Sequence, residues 1–305
     1  MIKKKPRLIV GLGELLWDIF PTGKHLGGAP ANFAYNINCL GDQGIVATAV
    51  GNDLLGREII DRLKQINLSV DYLQNSPQHL TGTASVKVNA IGQPVFKITE
   101  KVAWDFLEWT PEWEKLALSA DAVCFGSLSQ RSEQSYKTIQ YFLETAKDNA
   151  LSVFDVNIRQ PYCSSKIVLD SLKLADVVKL NSEELDWVAQ LAGLDRNNAK
   201  SSARKLMRSF QIQLICVTRG ASGSWLVSLD DVVEHSGFPV KVVDTVGSGD
   251  AFTAMLTYLY LRGKSLEMIG EAGNRLGSWV ASKPGATPPE TQDMARKVLQ
   301  MMGCA

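Results

Sequence analysis

Short apolar runs alternate with stretches of helical period along most of this chain, and no other feature limits its fold as much. Residues 8–12 read as a strand running out in glycine, and residues 45–50 as a second that also meets glycine. Between them, residues 29–37 carry a helical pattern with Pro30 in the first turn, where its missing N–H costs nothing. Residues 123–125, 152–154, 177–180 and 214–217 are further apolar strands, separated by helical stretches near 132–148, 165–174, 182–190 and 200–209. Strands joined by helices form a mostly parallel sheet covered on both faces, so an α/β fold is expected. Ligands of such sheets sit beyond the carboxyl ends of the strands. This chain keeps its polar clusters just after its strands.

One region departs from that rhythm. Residues 82–98 alternate with period two around Ile91-Gly92-Gln93-Pro94, which reads as a hairpin, and residues 13–20 add a candidate strand. A small sheet of this kind could cover a cleft, with Trp17 and Phe96 as apolar covers, or could simply extend the main sheet. There is no clean linker, repeat or low-complexity tract at which to cut the 305 residues into independent domains.

Composition excludes several classes. Lys plus Arg and Asp plus Glu balance at 32 each, so no basic surplus points to nucleic acid or an anionic membrane. No apolar run reaches membrane-spanning length. The basic start is followed by Leu8-Ile9-Val10, too short for a secretory core. Five cysteines with no paired spacing suggest reduced thiols and a cytoplasmic chain, and the three histidines without a Cys-x-x-Cys argue against a zinc centre.

The chemistry gathers near the C-terminus, at Asp244-Thr245-Val246-Gly247-Ser248-Gly249-Asp250 before an apolar helix. Unpaired N–H groups at a glycine-rich turn and helix N-terminus attract anions. A carboxylate is not needed to bind an anion, so Asp250 reads either as a base beside a site of developing negative charge or as an N-cap. Two other motifs fail. Gly11-Leu12-Gly13 has Leu16 where a dinucleotide fingerprint needs its third glycine. Gly263-Lys264-Ser265 has Tyr258 where a P-loop needs its first, and reads as a helix terminus. What remains is a set: Asp18; Gly27-Gly28 before a helix bearing Asn32; Asp155-Val156-Asn157-Ile158-Arg159; Lys179-Leu180-Asn181 with Glu184; and Thr218-Arg219-Gly220 with Gly223. Asp and Asn beside permissive glycines can bind the hydroxyls of a small polyol. Each cluster alone could be a turn or a cap; after four strands together they indicate a site.

Taken as a set, these residues resemble the ribokinase-like, or PfkB-type, carbohydrate kinases from end to end. The segment 244–250 matches the family's C-terminal signature, and Gly27-Gly28-Ala29-Pro30-Ala31-Asn32 with Gly41-Asp42 and Gly51-Asn52-Asp53 matches its first. The resemblance implies one three-layer α/β/α kinase domain over 1–305. Its β lid would be made by segments near 14–20 and 82–98. It also implies transfer of the ATP γ-phosphoryl group to a sugar hydroxyl. The base would be Asp250, with Gly247, Ser248 and Gly249 forming the anion hole. Sugar contacts would fall on Asp18, Gly28, Asn32, Asn157 and Arg159. Nucleotide contacts would fall on Lys179, Asn181, Thr218, Gly220, Gly223 and Asn274. Glu184 would meet Mg2+ through water. Asp244, Val246 and Gly285 would form a monovalent-cation loop, for K+. The segments 13–20, 155–159 and Val102-Ala103-Trp104-Asp105 resemble bacterial fructokinases, which makes D-fructose the expected acceptor. The alternatives are 2-keto-3-deoxygluconate kinase, with Arg159 on a carboxylate, ribokinase, and a catalytically silent sugar-binding paralogue. Many relatives pair through the lid, so a homodimer is one expected assembly.

Overall fold

The carboxyl ends of the parallel strands line up along one edge of a nine-stranded sheet, and that edge decides where a ligand can sit. The structure is a computed structural model that describes residues 5–21, 23–88, 94–194 and 198–304. In chain order its first half runs β1 (Leu8–Leu12), β2 (Leu16–Phe20), β3 (Gly23–Gly27), α1 (Ala29–Leu40), β4 (Gln43–Gly51), α2 (Leu54–Gln65), β5 (Leu73–Ser76), β6 (Gly82–Val88), β7 (Pro94–Ile98), α3 (Pro111–Ser119), β8 (Ala122–Gly126) and α4 (Glu133–Ala146). The second half runs β9 (Leu151–Asp155), α5 (Ser165–Leu174), β10 (Val177–Asn181), α6 (Ser182–Leu191), α7 (Ala199–Phe210), β11 (Leu214–Thr218), β12 (Ser224–Val227), β13 (Val232–His235), α8 (Ser248–Tyr260), α9 (Leu266–Ala281) and α10 (Thr291–Met301).

The large sheet has the order β13-β12-β11-β10-β9-β8-β1-β4-β5. Its strands are parallel except where β12 and β13 join antiparallel at one edge. Alternate residues of each strand feed opposite cores. Val10, Ile215 and Val217 pack with Trp113, Phe142, Val168 and Leu185 under α3 to α6. Ile9, Leu214 and Cys216 pack with Phe33, Met255 and Leu276 under α1, α8 and α9. This is the three-layer α/β/α sandwich expected from the sequence, with α4 to α7 close to their expected limits.

Side-chain caps start most helices: Asp53, Thr110, Ser132, Ser164, Asn181, Asn198 and Ser265 each accept a first-turn N–H. α1 and α8 differ. They begin at Gly28 and Gly247, neither of which offers a side-chain cap: in α1 Pro30 has no N–H and those of Ala31 and Asn32 bond the Gly28 carbonyl, while in α8 the Ser248 N–H bonds the Thr245 carbonyl and those of Gly249 and Asp250 have no side-chain cap. Gly263-Lys264-Ser265 is the helix terminus its sequence suggests: Gly263 lies beyond α8 with φ 62°, and Ser265 caps α9.

The second sheet has the order β3-β2-β6-β7. β6 and β7 form the expected antiparallel hairpin, Ala84 facing Ile98 and Val88 facing Pro94. Residues 91–93 of its expected turn and the Phe96 side chain lie outside the described residues. Expectation fails at Trp17. Instead of standing free as a cover, it is buried against Val46, Val50 and Ile59, and its Nε1 donates to the Leu55 carbonyl at 3.0 Å. An indole gains more by burying its ring with its N–H satisfied than by facing a wet cleft. β3, which the sequence pattern does not mark, pairs with β2 and sets His25 opposite Asp18.

Candidate active site

Asp250 lies in the first turn of α8, and Asn32 in the first turn of α1, 218 positions away. The packing of these two helices brings them together, Asn32 Nδ2 donating to Asp250 Oδ2 at 2.8 Å. Asp250 faces a recess that Asn157, Asp155, Thr253 and Glu14 also line. Asn157 turns into it with φ 40°, a left-handed conformation that asparagine tolerates. Burial pushes the Asp250 carboxyl up to about 6, and the charge of Asp155 adds to the effect, while Asn32, Lys179 and Arg159 oppose it. Asp18 is likewise pushed to about 6 by burial, against the pull of Arg159 and His25. Arg159 itself is exposed and sets its positive charge toward Asp18 and Asp250. Gly27 lets Asp18 stand close to the chain: a Cβ there would lie 2.4 Å from its Oδ2 and displace that side chain. Gly28 is equally constrained, with φ 118° and a Cβ that would stand 2.6 Å from the Glu14 carbonyl. Thus Asp250, Asn32 and Asn157 gather at one recess, with Gly28 at the head of α1 and Asp18 and Arg159 alongside.

A groove of about 630 Å³ adjoins the other side of the same turn. Thr218, Gly220, Gly223 and Asn274 line it, together with Ser248 and Gly249 of the α8 start. Phe238, Val240 and Val242 form apolar wall on the loop before that turn, a contribution that no sequence motif marks. Val240 and Val242 are exposed. Asn274 spends its amide on Ser224 Oγ and the Gly270 carbonyl, at 2.7 Å each, and therefore shapes the groove more than it reaches into it.

Lys179 and Asn181 do not line the groove. Lys179 Nζ is paired with both oxygens of Asp155 at 3.0 Å, beneath the turn, where a Cβ on Gly249 would lie 3.0 Å from it. Burial by itself would lower the Lys179 pKa, but Asp155, Asp250 and Glu184 outweigh it and hold the ammonium charged. Its charge therefore lies beneath the first turn of α8. Thr253 completes the strut by donating to Asp155 Oδ2 at 3.0 Å. Asn181 caps α6 by accepting the Glu184 N–H, and Glu184 Oε2 in turn accepts the Asn181 N–H. The other Glu184 oxygen accepts the Ile158 N–H at 2.8 Å, tying the loop after β9 to α6.

Among the described residues, no group of three or more His, Cys, Asp or Glu side chains is arranged to hold a metal by itself. Mg2+ does not ask for one, since it keeps several waters and binds through one or two carboxylates plus phosphates. Glu184 fits that mode only through water, since each of its oxygens already accepts a backbone N–H, and Asp155 is taken by Lys179. Asp244 unites the three residues of the expected cation loop: Oδ1 accepts the Val246 N–H at 3.0 Å and Oδ2 the Gly285 N–H at 3.1 Å. One carboxylate thereby ties the two arms of the loop together.

A sandwich with a small second sheet, a helix start without a side-chain cap beside a half-buried acid, and a polar recess against an open groove make up a ribokinase-like fold. Residues 11–293 match the model of the pfkB family carbohydrate kinases, and the chain belongs to that family. It is 31% identical to a fructokinase of Escherichia coli over 90% of this chain and 93% of that one. An uncharacterized sugar kinase from Pyrococcus horikoshii, solved in complex with ATP, superposes with a TM-score of 0.81 at 27% identity, covering 96% of this chain and 100% of the other. A double-mutant fructokinase from Vibrio cholerae, solved with fructose, ADP and potassium ion, gives 0.78 at 25% identity over 92% and 94% of the two chains.

Proposed function

We propose that this chain is an ATP-dependent fructokinase that converts D-fructose to fructose 6-phosphate in the cytoplasm, where its five free cysteines stay reduced. The observation that carries the reading is the position of Asp250. It stands where the polar recess meets the groove, on the first turn of a helix whose N-terminal N–H groups have no side-chain cap. In this reading the sugar lies over the recess with a hydroxyl directed at Asp250, and the groove takes ATP. Asp250 accepts the proton of the attacking hydroxyl, the new P–O bond forms at the γ-phosphorus, and ADP leaves. The N–H groups of Gly247, Ser248, Gly249 and Asp250 stabilise the charge on the transferred group, helped from below by Lys179. Mg2+, held through water by Glu184, supplies neutralisation of the triphosphate when bound. A monovalent cation in the Asp244 loop would stiffen the same turn. The second sheet serves as a lid that excludes water as a competing acceptor.

Fructose is favoured by the 31% identity to the E. coli fructokinase and by the likeness to the fructose-bound V. cholerae structure. Arg159 supports a second reading: its exposed guanidinium beside the recess would suit the carboxylate of 2-keto-3-deoxygluconate. A coupled ADP-release assay across fructose, ribose, glucose and the keto-acid separates the two. Fructose should give the highest kcat/KM, and a higher value for the keto-acid overturns the choice of acceptor. Absence of ATP consumption with every acceptor would leave a silent sugar binder.

A further inference from the structure

Among the acids around the recess, Glu14 is the one that the chemistry above does not use. The other acids there have their partners. Asp155 holds Lys179 and Thr253, Asp250 holds Asn32, and Glu184 holds two backbone N–H groups. Glu14 is only 4% exposed and lines the recess; its carboxyl lies near its own N–H, the Ala29 N–H and the Ser129 hydroxyl, yet its Oε2 makes no direct hydrogen bond among the described residues. Buried polar atoms are almost always paired, so that oxygen has an acceptor site that a ligand hydroxyl could fill.

Its placement is enforced by the backbone. Gly13 turns the chain inward with φ 148°, and a Cβ there would stand 2.7 Å from Ser129 Oγ. The start of α1 presses on the Glu14 carbonyl from the other side, since Gly28 has no room for a Cβ. Glu14 thereby lines the recess that Asn157, Asp155 and Asp250 share. The free space there is about 10 Å³, enough for one hydroxyl-sized group and far too little for a ring. Burial raises the Glu14 carboxyl from its usual range against the weaker pull of its own N–H, Arg159, the Ala29 N–H and the Ser129 hydroxyl. A raised carboxyl can donate as well as accept, which suits a hydroxyl.

The geometry points to Glu14 as a specificity-determining residue of the acceptor pocket, its carboxyl hydrogen-bonded to one non-reacting sugar hydroxyl that enters the recess beside Asp250. This deepens the sugar-kinase reading and rests on it. The acceptor class is then a polyol that carries a free hydroxyl at that position, and an analogue lacking it is rejected because the buried carboxyl stays unpaired.

The test compares wild type, Glu14→Leu and Glu14→Gln on fructose and on single-deoxy analogues that keep the accepting hydroxyl, with thermal melting to follow the folded fraction. Glu14→Leu should lower kcat/KM for fructose about 100-fold. The KM for ATP should move less than about twofold, because the groove is untouched. Glu14→Gln, which keeps a donor and an acceptor, should recover to within about tenfold of wild type. One deoxy analogue should be poor with wild type and lose little more with Glu14→Leu, the non-additivity that marks a direct contact. Equal losses on every analogue, or no loss on fructose, overturn the assignment. If Glu14→Leu does not fold, Glu14→Gln carries the comparison: a loss on fructose and on every analogue but the one lacking the contacted hydroxyl supports the contact, and an equal loss on all of them, or none on any, overturns it. A wild type that phosphorylates no sugar overturns the kinase reading, and this inference with it; an active wild type with additive losses overturns this inference alone.

Discussion

Asp250 is kept ionisable in a place that disfavours its charge. Its carboxyl is raised to about 6, whereas an unfolded-chain aspartate ionises near about 3.9. Below about pH 4 both states hold the proton and nothing is lost. Between about pH 4 and 6 only the folded state holds it, so the contribution of this group to stability falls as pH rises, and above about 6 the folded protein bears the full cost. Asp250→Asn should therefore raise the Tm by a few degrees at about pH 7.5 and leave it nearly unchanged at about pH 4, a difference that calorimetry at the two pH values reads directly. The same substitution should lower kcat at least about 1,000-fold while sugar binding survives, since it removes the base and little volume. In the wild type, kcat/KM for the sugar should fall as pH drops through about 6, steeply if Asp18, also raised to about 6, must be ionised too. A flat profile down to about pH 5 would mean that neither group titrates in the free enzyme as its burial implies. The motif residues were legible in the sequence: Asp250, Asn32 and Asn157 are where their signatures led. Glu14 was not, because an unpaired oxygen is a property of three-dimensional neighbours.

The two helices that face the site both start at a glycine with no side-chain cap, and glycine is there for steric reasons. Gly247 has φ 78°, and a Cβ would stand 2.5 Å from the Cβ of Ala286. Gly249 has an ordinary backbone, and its added Cβ would meet the Lys179 Nζ at 3.0 Å, a looser approach than that at Gly247. Gly247→Ala should thus distort the turn and cost about 100-fold or more in kcat, the loss expected for an oxyanion donor moved out of line. Gly249→Ala should cost distinctly less, because its added Cβ asks for a smaller shift. Steady-state kinetics of the two variants at saturating ATP decide the ordering, and equal losses would place the constraint elsewhere. Among the elements, the alternating strands and helices were legible from periodicity. β12 and β13 were not, since they are four-residue strands at one side of the sheet; nor was β3, which becomes a strand only by pairing with β2.

Across the whole molecule, the second sheet is tied to the body at its base. Tyr162 donates to the Ile98 carbonyl at 2.9 Å, and the guanidinium of Arg131 bonds the Thr99 carbonyl while paired with Asp105 and lying 4.0 Å from the Trp104 ring. The fructokinase-like segment Val102-Ala103-Trp104-Asp105 is therefore the anchor at the foot of β7. If the sheet closes over the sugar, hydrogen exchange should slow in β2 and β6 on fructose binding and stay unchanged over residues 102–105. Slowing at the anchor with no change in β2 would show that the sheet does not act as a lid.

Local chemistry encodes the α/β alternation, the glycine-rich turn before α8, and the identity of the acid that follows it. Periodicity is set by which face of each element must leave water, and a turn by which residues tolerate its φ, so both are written in consecutive residues. Which groups meet is settled only by packing. Asn32 reaches Asp250 across 218 positions because α1 packs on α8, Lys179 turns from the groove to Asp155, and Glu14 is left facing the recess with an unpaired oxygen. Those outcomes depend on burial and on the pairing of charges between distant segments, and no window of neighbouring residues contains them.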